Sequence, residues 1–160
     1  MGKIYIAYGS NMNLEQMSHR CPSAKKIGVG KAEGYELLFK GTPKNAYATI
    51  EPREEATVDV LLWDIEDQDE RNLDIYEGYP RLYTKEMIPV QLEDGRRIEA
   101  MAYIMNPKML LGLPSMPYFR TILQGYLENG LDERNLIQAV GNTYVQMTEQ
   151  EEAMAMKMEM

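Results

Sequence analysis

Apolar and polar residues alternate from Lys3 to Tyr8 and the alternation stops at Gly9-Ser10-Asn11, which reads as a short strand running into a turn. Asn13 then offers an N-cap to a brief helix carrying Leu14 and Met17 on one face, and Cys21-Pro22-Ser23 ends it. Three strand-like pieces follow, at Ile27-Gly28-Val29, Tyr35 to Phe39 and Ala46 to Ile50. Thr57 to Ile65 alternates at first and then turns solidly apolar, as a central strand would. From Glu66 to Tyr76 the chain is acidic at its start, with Leu73 and Tyr76 three apart. That predicts a helix, stopped by Gly78 with Pro80 just beyond. Tyr83 to Leu92 and Ile98 to Met105 make a hairpin about Asp94-Gly95. Ser115 caps a helix that runs to about Asn129 and ends at Gly130, and Asp132 begins a last helix.

These elements predict an α+β domain, dominated by a curled, mainly antiparallel sheet with flanking helices. Periodicity leaves open whether that sheet closes into a barrel. The last helix fades into a Met- and Glu-rich stretch from Thr148 to Met160, so residues 1–147 are expected to form the domain and 148–160 a tail. The tail is expected either to fray, as terminal segments do, or to be a helix whose methionines find a partner chain.

A chain of 160 residues fits one domain, and 44% hydrophobic with 26% charged residues suits one packed core. The formal net charge of −8 argues against nucleic acid, which needs clustered Lys and Arg, and disfavours an anionic membrane surface. No stretch approaches the roughly 20 apolar residues of a spanning helix, and Met1-Gly2-Lys3-Ile4-Tyr5 runs into a strand without a signal-peptide core. One cysteine, Cys21, makes no internal disulfide, so a reducing cytoplasm is the expected compartment.

Scarcity narrows the chemistry further. With one His (His19) and one Cys, no structural Cys/His zinc site assembles within the chain, and no metal or cofactor is expected. A Ser-His or Cys-His system would depend on His19. Ser10 is a poor nucleophile candidate, because Tyr8-Gly9-Ser10-Asn11-Met12 lacks both flanking glycines of a nucleophile elbow. Proton chemistry therefore falls to a carboxylate or a tyrosine.

Two stretches suit such chemistry. Tyr8-Gly9-Ser10-Asn11-Met12 lies where a strand ends and a helix is about to start. There, unpaired N–H groups and the Ser10 and Asn11 side chains can hold a carboxylate or an oxyanion. The same residues equally make an ordinary strand-to-helix turn. Glu77 ends its helix just before Gly78, where the macrodipole disfavours a carboxylate, and Tyr76, Tyr79 and Tyr83 add desolvation. A carboxyl raised toward neutrality suits a general base, while a solvated helix-end glutamate is the plain alternative. Asp74 shares its helical face and is expected to be solvated or capping, since residues three apart flank nothing. Trp63 and the methionines are expected in the core, and His19 and Cys21 at the surface, inert. Tyr118 is expected in the first turn of its helix with a free hydroxyl.

The order Tyr8-Gly9-Ser10-Asn11, Leu73-Asp74-x-x-Glu77-Gly78, Tyr83 and Pro114-Ser115-x-x-Tyr118, before a helix with Gly125 and Asn129-Gly130-Leu131, resembles the γ-glutamylcyclotransferase-like proteins, also called AIG2-like or BtrG-like. The resemblance runs from about Ile4 to about Leu131 and takes in Cys21-Pro22-Ser23-Ala24 and Tyr47-Ala48-Thr49-Ile50. It implies a small β-barrel with flanking helices and a pocket at one mouth, acting as a monomer or homodimer on a small γ-glutamyl substrate. The implied reaction is cyclisation: the α-amine attacks the γ-amide carbonyl, releasing 5-oxoproline and a free amine. By motif position Glu77 would be the acid/base, Tyr8 to Met12 the substrate cradle, and Tyr83 and Tyr118 part of the pocket wall. Glu77-Gly78-Tyr79-Pro80-Arg81-Leu82-Tyr83 resembles the γ-glutamylamine enzymes, whereas the N-terminal motif is similar to those acting on γ-glutamyl amino acids. The leaving group is therefore open between an amino acid, a lysine ε-amine and a larger intermediate, and Arg81 is either a contact for an anionic one or a surface charge. Two other functions fit the residues: a ligand-binding protein on the same fold, and a hydrolase in which Glu77 activates water.

Overall fold

The computed structural model describes residues 2–159; Met1, and Met160 at the end of the predicted tail, lie outside the described residues. Five strands, β1 (Lys3–Ala7), β2 (Lys25–Thr42), β3 (Asn45–Ile65), β4 (Tyr83–Leu92) and β5 (Arg97–Met105), close into a barrel in the order β1-β3-β2-β4-β5. Every pairing is antiparallel except β1 with β5, where Tyr5 faces Met101 in parallel and shuts the barrel. The expected α+β architecture and the mainly antiparallel sheet are therefore present, and closure is settled.

The strand-like pieces expected between Ile27 and Ile65 are two long strands instead. Register shifts between Lys26 and Gly28 and between Glu33 and Tyr35 break the alternation, so continuous β2 reads as fragments. The polar run from Pro52 to Glu55 is exposed within β3 and marks an irregularity of the ladder: Tyr35 pairs with Pro52 and Glu33 with Thr57, so residues 53–56 bulge out between them, with Glu55 in the left-handed conformation.

Around the barrel lie α1 (Leu14–Arg20), α2 (Asp67–Glu77), α3 (Met116–Glu128) and α4 (Glu133–Glu159). Their caps follow the expected residues. Asn13 accepts from the Gln16 N–H, Ser115 from the Tyr118 N–H, and Gly78 ends α2 in the left-handed conformation. The core is shared between the barrel interior (Ile6, Ile50, Leu62, Ile88) and the helix faces that cover it (Met17, Leu73, Ile122, Leu136), all fully buried.

At the periphery one alternative is decided and one expectation changes. The tail remains helical to Glu159 rather than fraying, although residues 149–159 are exposed. Cys21 is buried, not at the surface: its thiol lies 3.6 Å from the Asp69 carbonyl oxygen, and burial raises its pKa to about 12. His19 is exposed, as expected. No helix among the described residues is long and apolar enough to cross a membrane.

Candidate active site

At one mouth of the barrel a cavity of about 260 Å³ opens between the end of β1, the end of α2 and the start of α3. Tyr8, Gly9, Ser10, Asn11, Glu77, Tyr83 and Tyr118, separated by up to 110 positions in sequence, all line it. Met12 does not. It is fully buried behind the turn, with its N–H closed onto the Gly9 carbonyl at 3.1 Å.

The turn is a single 3-10 turn over Ser10–Met12. Because Met12 and Asn13 spend their N–H groups on the Gly9 and Ser10 carbonyls, the N–H groups of Gly9, Ser10 and Asn11 are not consumed inside it. A Cβ on Gly9 would stand 3.1 Å from the Ala48 methyl and 3.3 Å from the Tyr118 hydroxyl, so glycine lets the turn press against that wall. Trp63, buried as expected, has a further use: its indole N–H donates to the Asn11 carbonyl at 3.0 Å.

The Ser10 and Asn11 side chains are largely engaged within the protein. Asn11 Nδ2 donates to the Tyr5 hydroxyl at 2.9 Å, while its Oδ1 accepts from Arg20. Ser10 Oγ lies 3.2 Å from both the Tyr76 hydroxyl and Arg20 Nη1.

Glu77 faces this turn from the end of α2, with its carboxyl raised to about 7. Desolvation is the leading cause, and the Arg20 guanidinium opposes it. Tyr83 contributes wall and burial, whereas Tyr79 does not line the cavity. Tyr79 packs edge-on to Tyr103 at 6.4 Å, under the Lys85 ammonium, and is 40% exposed. Asp74 is neither solvated nor a cap: it accepts from the Tyr103 hydroxyl at 2.6 Å and pairs with Lys85 at 2.8 Å. Those bonds, with the Lys3–Glu70 and Lys85–Glu70 pairs, tie α2 to β1, β4 and β5 one and two turns before Glu77.

The wall is phenolic. Tyr8 donates to the Tyr103 carbonyl at 2.5 Å and Tyr83 to the Ala48 carbonyl at 2.8 Å. Tyr118 instead accepts from the Ala48 N–H at 3.0 Å, so its hydroxyl is not free, although its own proton remains available. Burial raises the pKa of Tyr5, Tyr8, Tyr83 and Tyr118, which keeps these phenols neutral. The cavity thus sets one carboxyl of near-neutral pKa against uncharged donors and a turn with unspent N–H groups.

Reading the sequence did not assign Tyr5, Tyr47, Tyr103 or Arg20 to the site. Tyr5 and Tyr103 look like ordinary strand aromatics, and nothing local to Tyr47 marks it as part of a cavity wall. The Arg20 side chain reaches back ten residues to Ser10, a contact that helical spacing does not forecast. Among the described residues no group of three or more His, Cys, Asp or Glu is placed to hold a metal ion.

Comparison with known proteins identifies the family. The family model described as gamma-glutamyl cyclotransferase, AIG2-like, matches residues 5–120, a span holding every cavity-lining residue. Gamma-glutamylcyclotransferase of Bos taurus is 29% identical over 137 residues, which cover 80% of this chain and 72% of the relative. The Homo sapiens protein of the same name is 29% identical over 136 residues, with the same coverage. A solved structure titled gamma-glutamyl cyclotransferase superposes with a TM-score of 0.79 at 26% identity, covering 87% of this chain and 86% of that one. The chain therefore belongs to the gamma-glutamyl cyclotransferase, AIG2-like, family.

Proposed function

We propose that this protein is an enzyme that cyclises a γ-glutamyl group. The substrate's α-amine attacks its own γ-amide carbonyl, a new C–N bond closes the five-membered ring, and the old amide C–N bond breaks to release 5-oxoproline and an amine. Glu77 takes the proton from the attacking nitrogen and returns it to the departing one. The unspent N–H groups of Gly9, Ser10 and Asn11 donate to the substrate carboxylate or to the developing oxyanion. Tyr8, Tyr83 and Tyr118 shape the cavity around the glutamyl chain, and Met12 backs the turn from the core.

The observation that carries this reading is Glu77, a partly buried carboxyl raised by desolvation to a pKa of about 7, opening into the same small cavity as that turn. An intramolecular attack needs orientation, one proton shuttle and a site for negative charge, and asks for no nucleophilic side chain. A working pKa near neutrality suits a group that must act first as base and then as acid.

The test is product analysis. The protein is incubated with a panel of γ-glutamyl amino acids and γ-glutamyl-ε-lysine, and 5-oxoproline and free glutamate are both measured. The expected result is 5-oxoproline from at least one substrate, with Glu77→Gln slower by about 100-fold or more. Free glutamate as the main product would instead indicate hydrolysis. Binding without turnover would indicate a ligand-binding protein, and equal activity in the Gln variant would remove Glu77 from the mechanism.

A further inference from the structure

Arg20 is the last residue of α1 and joins three elements. Its Nη1 donates to Ser10 Oγ at 3.2 Å and to Asn11 Oδ1, and its Nη2 donates to Gln16 Oε1 at 2.7 Å. The guanidinium lies 3.7 Å from the centre of the Tyr76 ring, a cation–π contact, and the Tyr76 hydroxyl in turn sits 3.2 Å from Ser10 Oγ. Its main chain is tied to the same helix, because the Arg20 carbonyl accepts from Asn72 Nδ2 at 3.0 Å. Arg20, Ser10 and Tyr76 thus close a triangle behind the cavity, with Tyr76 adjacent in sequence to Glu77.

We propose that Arg20 is a positioning residue, which locks the Ser10-Asn11 turn to the end of α2 so that the turn and Glu77 hold their places across one cavity. The role in turnover rests on the cyclotransferase reading above; the geometry does not. Arginine suits the task because its planar fork donates in several directions at once while stacking on an aromatic ring, which lysine cannot reproduce.

The same guanidinium is also a fixed charge near Glu77. The other groups facing that carboxyl are the phenols of Tyr5 (β1), Tyr8, Tyr83 (β4) and Tyr118 (α3), which burial keeps neutral, and the neighbouring Tyr76. Arg20 is the charge that opposes the desolvation of Glu77. Two effects therefore separate by substitution, one belonging to the fork and one to the charge.

The experiment compares the parent, Arg20→Lys and Arg20→Met. The Glu77 carboxyl is titrated by NMR on protein labelled with ¹³Cδ-glutamate, the signal being assigned by its loss in Glu77→Gln. Backbone amide shifts of Ser10 and Asn11 report the turn, and kcat/KM is read from 5-oxoproline release. Arg20→Met is expected to raise the Glu77 midpoint by about half a unit or more. It should also displace the Ser10 and Asn11 amides and lower kcat/KM by about 10- to 100-fold. Arg20→Lys is expected to restore the midpoint close to the parent's while leaving the amides displaced and most of the kcat/KM loss in place. A parental midpoint in Arg20→Met, or parental amides in Arg20→Lys, would overturn the assignment. Should Arg20→Met not fold, the Lys variant decides the question through its amides. The titration and amide shifts need no substrate. A parent that makes no 5-oxoproline would therefore defeat the cyclotransferase reading and still leave Arg20 to be judged on those two readouts.

Discussion

Burial lifts the Glu77 carboxyl from 4.5 to about 7 while the Arg20 guanidinium pulls it the other way. If ionised Glu77 starts the reaction, kcat/KM should rise with pH through an apparent midpoint near 7 and level off above it. Initial rates of 5-oxoproline release against pH measure this, and a flat profile between about pH 5.5 and 8 would contradict the base role. The same shift has a consequence for stability. A carboxyl whose folded pKa is raised contributes stability that is complete below the unfolded value of 4.5, and that contribution is lost as pH rises through about 7. At about 1.4 kcal/mol per unit, the loss is at most about 3.5 kcal/mol. Denaturant melts at pH 4.5 and pH 8 should therefore show this pH-dependent component in the parent and its absence in Glu77→Gln. Glu77 was legible in the sequence because its place before Gly78 and among tyrosines already predicts a raised pKa. The opposing charge was not, since no local rule brings Arg20 to it.

The cradle depends on how closely α3 approaches the turn. Asn13 Nδ2 donates to the Thr121 carbonyl at 3.0 Å, and Asn129 Nδ2 donates to the Met12 carbonyl at 2.9 Å. Between these bonds lies Gly125, where an added Cβ would come within 2.8 Å of the Met12 carbonyl carbon and 2.9 Å of the Asn13 nitrogen. Backbone atoms there have no easy retreat, so Gly125→Ala should cost about 1–3 kcal/mol and reduce turnover as well. Gly141→Ala in α4, where a Cβ meets nothing within 4 Å, should instead stabilise by about 0.5–1 kcal/mol. Chemical denaturation of the two variants checks the contrast, and equal effects would show that α3 does not press on the turn. The helices and their caps could be read locally, from Asn13, Ser115 and Gly78. Their packing partners could not, because Gly125 looks like any helical glycine until Met12 is placed opposite it.

Closure of the barrel unites β1, the first strand, with β5, the last, and so brings the two ends of the sheet to the mouth where the cavity lies. Helix α4 buries Leu136, Ala139 and Thr143, and the Thr143 hydroxyl accepts from the Phe39 N–H at 3.3 Å. From residue 149 to 159 the helix is exposed. We propose that residues 1–147 are the folding unit. A chain ending at Met147 should then keep its activity and lose less than about 0.5 kcal/mol of stability. A thermal melt with a parallel rate measurement tests this, and a larger loss would place the remainder of α4 within the unit.

What a chain determines without its fold is what short-range physics reports: helix starts and stops, the solidly apolar strand Thr57 to Ile65, and the hairpin about Asp94-Gly95. Ordered motifs add the family, and so Glu77 and the Tyr8–Asn11 turn. Strand continuity escaped, because the register shifts in β2 and the unpaired polar stretch in β3 break the period that marks a strand, while the pairing on either side of these breaks keeps both strands in the sheet. The Asp74–Tyr103–Lys85 cluster, the Trp63 bond to Asn11, the two tyrosines held by Ala48 and the Arg20–Ser10–Tyr76 triangle all join residues from different elements. Such contacts exist only after the barrel closes, when burial makes each unpaired polar group costly and so selects the partner that satisfies it.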